Sequence, residues 1–284
     1  MNPVEQLNLT IWSWIETFRT MRRAVFFVPC LFYLGVQAVL FALLWGFAQP
    51  AVSWFMAPFL TRMFGEAVIH YPYNFAAFPV FFARADLPMA VILGGLLFGA
   101  STWLFARAFN GEPLRPGNAF ANARTRYLVL ALSQVPGTVL GAAILYASEQ
   151  ATETGSMHGN MLRIARYGGL VAAIAVQALF AFAMAFIALE GVGLGRAIVG
   201  SMRLAARNAI GAFLLVAFPV ALHYPALFIY RNEALLMQRG APELIAVITA
   251  GDLLVGVVTN YLVLGAVTRF YLARRRPVAG GALS

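Results

Sequence analysis

Six long apolar runs decide what this chain can fold into. They lie at about residues 24–47, 88–109, 127–147, 167–189, 209–230 and 244–268. A helix needs about 20 mostly apolar residues to cross the hydrocarbon of a bilayer, and every run meets that length. In lipid a backbone must satisfy its own hydrogen bonds, which leaves helices or a closed barrel, and runs this long without alternation are helices. Together they occupy most of the 284 residues. The reading is an all-α integral membrane protein, one transmembrane domain over 1–284. Only 11% of the residues are charged, against about 25% in an ordinary soluble domain.

The segments between the runs carry the next constraint. From Leu194 to Asn208, Arg196, Arg203 and Arg207 recur at i, i+7 and i+11, within roughly 20° of one line on a helix. Leu194, Ile198 and Ala205 fall opposite. Such a helix is expected in the membrane interface, apolar face down. Residues 4–23 show the same design, with Val4, Leu7, Ile11, Trp14, Ile15, Phe18 and Met21 on one stripe and Arg22 and Arg23 at the end. A third copy precedes the third run and carries Arg124 and Arg126. Arg19 precedes Pro29 by ten residues, Arg126 precedes Pro136 by ten, and Arg207 precedes Pro219 by twelve. The pattern predicts three repeated units, each an interfacial amphipathic helix followed by a helical hairpin.

Arginine placement predicts orientation. All 20 Lys+Arg residues are arginine. Segments 1–23, 107–126, 190–208 and 269–284 hold three, four, three and four of them, against two in each of 48–87, 148–166 and 231–243. The richer set is cytoplasmic by the positive-inside rule, which puts both termini and all three interfacial helices on the cytoplasmic side of a bacterial inner membrane. The net charge of +9 then reflects arginines facing anionic headgroups, with Arg22, Arg23, Arg124, Arg126, Arg196, Arg203 and Arg207 as the candidate contacts and no nucleic-acid partner. The first 20 residues read as an amphipathic segment, not a secretory signal.

Residues 48–87 form the longest connection. Its prolines and dense aromatics (Trp54, Phe59, Tyr71, Tyr73, Phe78, Phe81 and Phe82 among them) read as a short helix over 51–66, then an aromatic cover against the outer headgroups, serving as anchor or binding surface.

Chemistry is sparse. There is no phosphate-binding loop and no HExxH. The single cysteine, Cys30, sits in the first run as an apolar filler. GVGLGR at 191–196 follows a span, not a strand, so it is no nucleotide loop. His70, His158 and His223 lie far apart. Asp252 and His223 stand out because ionisable residues inside spans are expensive. They lie about nine and seven residues from the outer ends of the sixth and fifth runs. At about 1.5 Å per residue both sit roughly 10–13 Å deep, where they can pair. Gln37, Gln134, Gln177 and Asn260 suit interhelical hydrogen bonds. Glu190, beside the arginine helix, is expected to meet Arg196 or solvent.

Gly191, Gly193, Ala197, Ser201, Leu204 and Asn208 within 190–215 carry a family resemblance. This stretch resembles bacterial six-span proteins that include the membrane domain fused to some glycerophosphodiester phosphodiesterases and YciC-like membrane proteins of uncharacterised function. The resemblance covers about 165–230, implies six spans, and carries over no catalytic residue or cofactor. The aromatic 48–87 segment departs from it. Three functions remain open on the sequence: a non-enzymatic scaffold or accessory subunit with a membrane-protein partner or a second copy, a transporter or permease subunit working with a separate ATPase, and an intramembrane enzyme acting on lipid.

Overall fold

The computed structural model describes residues 2–46, 50–66, 70–71, 73–153, 160–230, 232, 236 and 241–275. No described residue is in a strand, and six helical segments are long and apolar enough to cross a membrane. The protein is an all-α multi-pass membrane protein.

The elements run in chain order as α1 (Pro3–Thr20), a 3-10 turn (Ala24–Phe26), α2 (Val28–Trp45), α3 (Pro50–Phe64), α4 (Tyr73–Phe109), α5 (Pro116–Thr125) and α6 (Tyr127–Glu153). There follow α7 (Asn160–Phe180), α8 (Ala183–Ala185) with a π turn (Phe186–Glu190), α9 (Leu194–Arg207), α10 (Ala209–Val220), a 3-10 turn (Ala221–His223), α11 (Tyr224–Tyr230) and α12 (Glu243–Arg275). The fourth span is therefore α7, α8 and the π turn, and the fifth is α10, the 3-10 turn and α11.

One expectation needs correcting. The second span begins at Tyr73, fifteen residues before the expected start, because α4 runs through Pro79 and Pro88. Most of the expected aromatic cover is thus helix. The apolar stripe of α1 faces outward, as expected of an interfacial helix, and the structure adds what its other face meets. Val4, Leu7, Ile11, Ile15 and Phe18 are exposed, while Gln6, Thr10, Ser13 and Thr17 are buried with Trp14. The polar row can be buried because its hydroxyls turn back on their own helix. Thr10 donates to the Gln6 carbonyl at 2.8 Å, Ser13 to Leu9 at 2.8 Å, and Thr17 to Ser13 at 2.7 Å. With its hydrogen bonds closed locally, that row acts as a small, flat docking surface, and the apolar row is left for lipid.

Contacts divide the chain into two compact units, each discontinuous in sequence. Unit 1 comprises Met1–Cys30, Ala90–Pro219 and Asn260–Ser284, and unit 2 comprises Leu31–Met89 and Val220–Thr259. Three of the four crossings fall within two residues of a proline (Pro29, Pro88, Pro219), where the helical ladder lacks one donor.

Unit 1 is built on close helix approach. A Cβ on Gly95 would stand 2.6 Å from the Ala131 backbone, and one on Gly99 would stand 2.7 Å from Leu130. Gly95 and Gly99 thus make a GxxxG face on α4 for α6. Thr10 of α1 lies against Gly211, and Thr17 against Gly265. The other short helices dock in the same manner, α5 through Ala119 and Ala123, α9 through Ala197, Ser201 and Ala205. Phe26, Phe105, Phe182, Tyr261 and Phe270 fill the interior.

Unit 2 is packed by large side chains. Its core is Leu44, Leu60, Phe78, Phe81, Phe82, Ala246 and Leu253. The Phe41 ring meets Phe78 edge-on at 5.1 Å. Aromatics of the 48–87 segment therefore divide. Phe78, Phe81 and Phe82 are core, while Trp54, Phe59, Tyr71 and Tyr73 are exposed.

Candidate functional site: polar seams within the spans

In unit 2, the fifth span breaks where its chemistry sits. Pro225 has no N–H for the Ala221 carbonyl, and the Tyr224 N–H takes that acceptor instead, tightening the chain into the 3-10 turn Ala221–His223. His223 ends that turn. Its Nδ1 lies 2.6 Å from Asp252 Oδ1 on α12, so the two residues singled out from the sequence do meet. About a quarter of each side chain is exposed. Gly256, one turn beyond Asp252, leaves room for the imidazole, with Cε1 3.9 Å from where a Cβ would be. Seven residues on from His223, the Tyr230 hydroxyl donates to Thr249 Oγ1 at 3.1 Å, and Thr249 donates to the Ile245 carbonyl at 2.8 Å. The two rungs lie between the same antiparallel pair of segments.

A second seam in unit 2 joins Gln37, which bonds between helices as expected, to an acid that the sequence reading missed. Asp86 of α4 accepts from the Tyr33 hydroxyl at 2.9 Å and from Gln37 Nε2 at 3.0 and 3.1 Å. Tyr33 and Gln37 are four residues apart on α2 and share a face. Treating 67–87 as a loop hid Asp86. The available signal was the apolar Phe75, Phe78, Phe82 spacing, which is helical and continues into the second span.

In unit 1, charged groups sit at helix ends. Glu190 is exposed, one of its two expected surroundings, and no ion pair joins it to Arg196 among the described residues. Its carboxylate accepts from the Tyr271 hydroxyl, and Arg275 bridges it with Nε at 3.0 Å and Nη2 at 3.2 Å. Arg126 is turned inward, not toward headgroups. Its Nη1 donates to the carbonyls of Ile187 at 2.7 Å and Ala188 at 3.3 Å, capping the last turn of the fourth span. Gly191 closes that turn at φ 70°, and any Cβ there would stand 2.7 Å from Arg126 Nη2. Ser201 of α9 bridges the break between α7 and α8. Its hydroxyl donates to the Leu179 carbonyl at 2.7 Å and accepts from the Phe182 N–H at 3.1 Å. The stretch that carries the resemblance is thus a joint, with a left-handed glycine and a serine splice of its own and an arginine cap supplied from outside it by Arg126.

The other candidate arginines, Arg22, Arg23, Arg124, Arg196, Arg203 and Arg207, are exposed. Among the described residues no three His, Cys, Asp or Glu side chains group to hold a metal. His158 lies outside the described residues. Protein-family models, curated proteins and solved structures were all compared with this chain, and none matches it.

Proposed function

We propose that this protein is a non-enzymatic, proton-linked transporter or permease subunit, with the His223–Asp252 pair of unit 2 as its working group. The carrying observation is the placement of that pair at a proline-flanked break in a spanning helix. Broken spans with ionisable side chains are how membrane proteins expose polar groups to a permeating species. Asp86, held by two neutral donors, supplies a second carboxylate to the same unit. The protein in this reading sits in a bacterial cytoplasmic membrane with both termini inside, a placement that the arginine asymmetry supports. The test is proton uptake by proteoliposomes loaded with a pH-sensitive dye under an imposed potassium diffusion potential. Wild-type vesicles are expected to acidify faster than protein-free ones, and Asp252→Asn to fall to the protein-free rate. Equal rates for wild type and protein-free vesicles would sink the proton-linked reading.

A second reading is favoured by one observation. Arg196, Arg203 and Arg207 on α9 are all exposed on one face, as an accessory subunit that docks an acidic partner would present them. Recovery of a stoichiometric partner in mild detergent, lost on Arg196→Glu, would favour it over transport.

A further inference from the structure

A groove of about 450 Å³ opens in unit 1, lined by Ala175, Ala178, Leu179 of α7, Ala205 and Ala206 of α9, and the first turns of α10 from Ala209 to Leu214. That volume falls within the roughly 300–1,000 Å³ of ordinary ligand pockets. Its lining side chains are all alanine, leucine, isoleucine or phenylalanine, so it offers an occupant no side-chain hydrogen bond. Whatever fills it is apolar along this length.

The upper end of the groove has the opposite character. Ala206 is a lining residue, Arg203 lies one turn before it on a neighbouring row, and Arg207 follows it directly. Both arginines are exposed, and no ion pair to either is found among the described residues. Neither arginine lines the groove, but both flank its lining residue Ala206, so an exposed guanidinium pair stands beside it where α9 gives way to α10. An occupant that suits both ends has an anionic head and an aliphatic tail.

We infer that this groove binds one anionic phospholipid, its phosphate held by Arg203 and Arg207 and one acyl chain lying along α10 between α7 and α9. Two guanidinium forks match phosphate oxygens, which an ammonium would meet only as a point charge. The alanines at 175, 178, 205, 206, 209 and 212 make the room, because a larger side chain at any of them would fill it. The site is independent of the unit 2 seam, so it stands or falls separately from the transport reading.

Native mass spectrometry of the full chain tests this, using protein purified in mild detergent and titrated with palmitoyl-oleoyl phosphatidylglycerol or the matching phosphatidylcholine. One phosphatidylglycerol is expected to stay bound per chain. Replacing both contacts in Arg203→Gln/Arg207→Gln is expected to weaken it about thirtyfold, from about one arginine-phosphate interaction each. Ala209→Phe, at an exposed lining position, removes the tail's space and is expected to weaken it comparably. Arg115→Gln/Arg274→Gln, the same loss of two charges at exposed arginines elsewhere, leaves retention unchanged. Equal retention of phosphatidylcholine would overturn the headgroup assignment. Retention untouched by Ala209→Phe would overturn the groove. A second copy of the chain bound in place of lipid would overturn both.

Discussion

The two units solve the same packing problem with opposite materials. In unit 1, helices approach until glycine is required: a Cβ at Gly95, Gly169, Gly211 or Gly265 would lie between 2.4 and 3.0 Å from a neighbouring helix. In unit 2, Gly35 and Gly251 have nothing within 4 Å, and the contacts are made by Phe41, Phe78, Phe81, Phe82 and Leu60. The buried polar row of α1 differs from the seams of unit 2 in a similar way. The hydroxyls of Thr10, Ser13 and Thr17 on α1 bond to their own helix, and of the α1 hydroxyls Thr20 also reaches across, to Tyr261 at 2.6 Å. Those of unit 2 reach across, from Tyr33 to Asp86 and from Tyr230 to Thr249. Backbones in close contact with locally closed polar groups make a surface with one arrangement. Large side chains with shared polar groups leave partners that can be exchanged, and unit 2 is where the ionisable groups at depth occur.

The largest effect that would break this contrast is a methyl group. Gly95→Ala places a Cβ on the Ala131 backbone, which no side-chain rotation relieves. The expected loss is about 3 kcal/mol, the upper end of overpacking costs. The same change at Gly35, an exposed position on α2, is expected to be neutral or to stabilise by up to about 1 kcal/mol through helix propensity. Thermal unfolding of both variants in one detergent checks the pair. Comparable losses would mean that unit 2 also depends on backbone proximity.

Asp86 comes next. Replacing it with leucine removes the acceptor shared by Tyr33 and Gln37, with an expected loss of about 2 kcal/mol. Asp86→Asn keeps an acceptor oxygen and is expected to lose less than about 1 kcal/mol. If both variants unfold together with wild type, the seam contributes nothing to holding unit 2.

How much of this was readable before the fold depended on whether a signal had one physical meaning. Six spans were legible because no soluble environment tolerates such runs. The His223–Asp252 contact was legible because a short connection makes the last two spans neighbours and depth can be counted from their ends. The outward apolar face of α1 was legible, but what its polar face meets was not. Nothing local in the sequence says that the threonine row packs inward, and the glycines that receive it, Gly211 and Gly265, lie more than 190 residues away. Arg126 was misread for a related reason: a basic residue at a span's end suits headgroups, and equally suits the open carbonyls of another span. Asp86 was hidden by Pro79 and Pro88, which usually mark a boundary and here lie inside a 37-residue helix.

The smallest effect is the sharpest test of the contrast, because it uses one substitution twice. Thr10 in unit 1 and Thr249 in unit 2 are both buried, at 2% and 4% exposure, and each donates to the carbonyl four residues back at 2.8 Å. They differ in that Thr249 also accepts from Tyr230. Thr249→Val strands that tyrosine hydroxyl and is expected to lose about 1 kcal/mol, in the range of interhelical hydrogen bonds within membranes. Thr10→Val deletes a hydroxyl whose one hydrogen bond goes to a carbonyl the helix also satisfies. Its shape against Gly211 is kept, and the expected change is about 0.3 kcal/mol or less. Equal losses at the two sites would show that the α1 hydroxyls do more than close on their own helix. A docking surface of unit 1 would then share the exchangeable polar character assigned to unit 2.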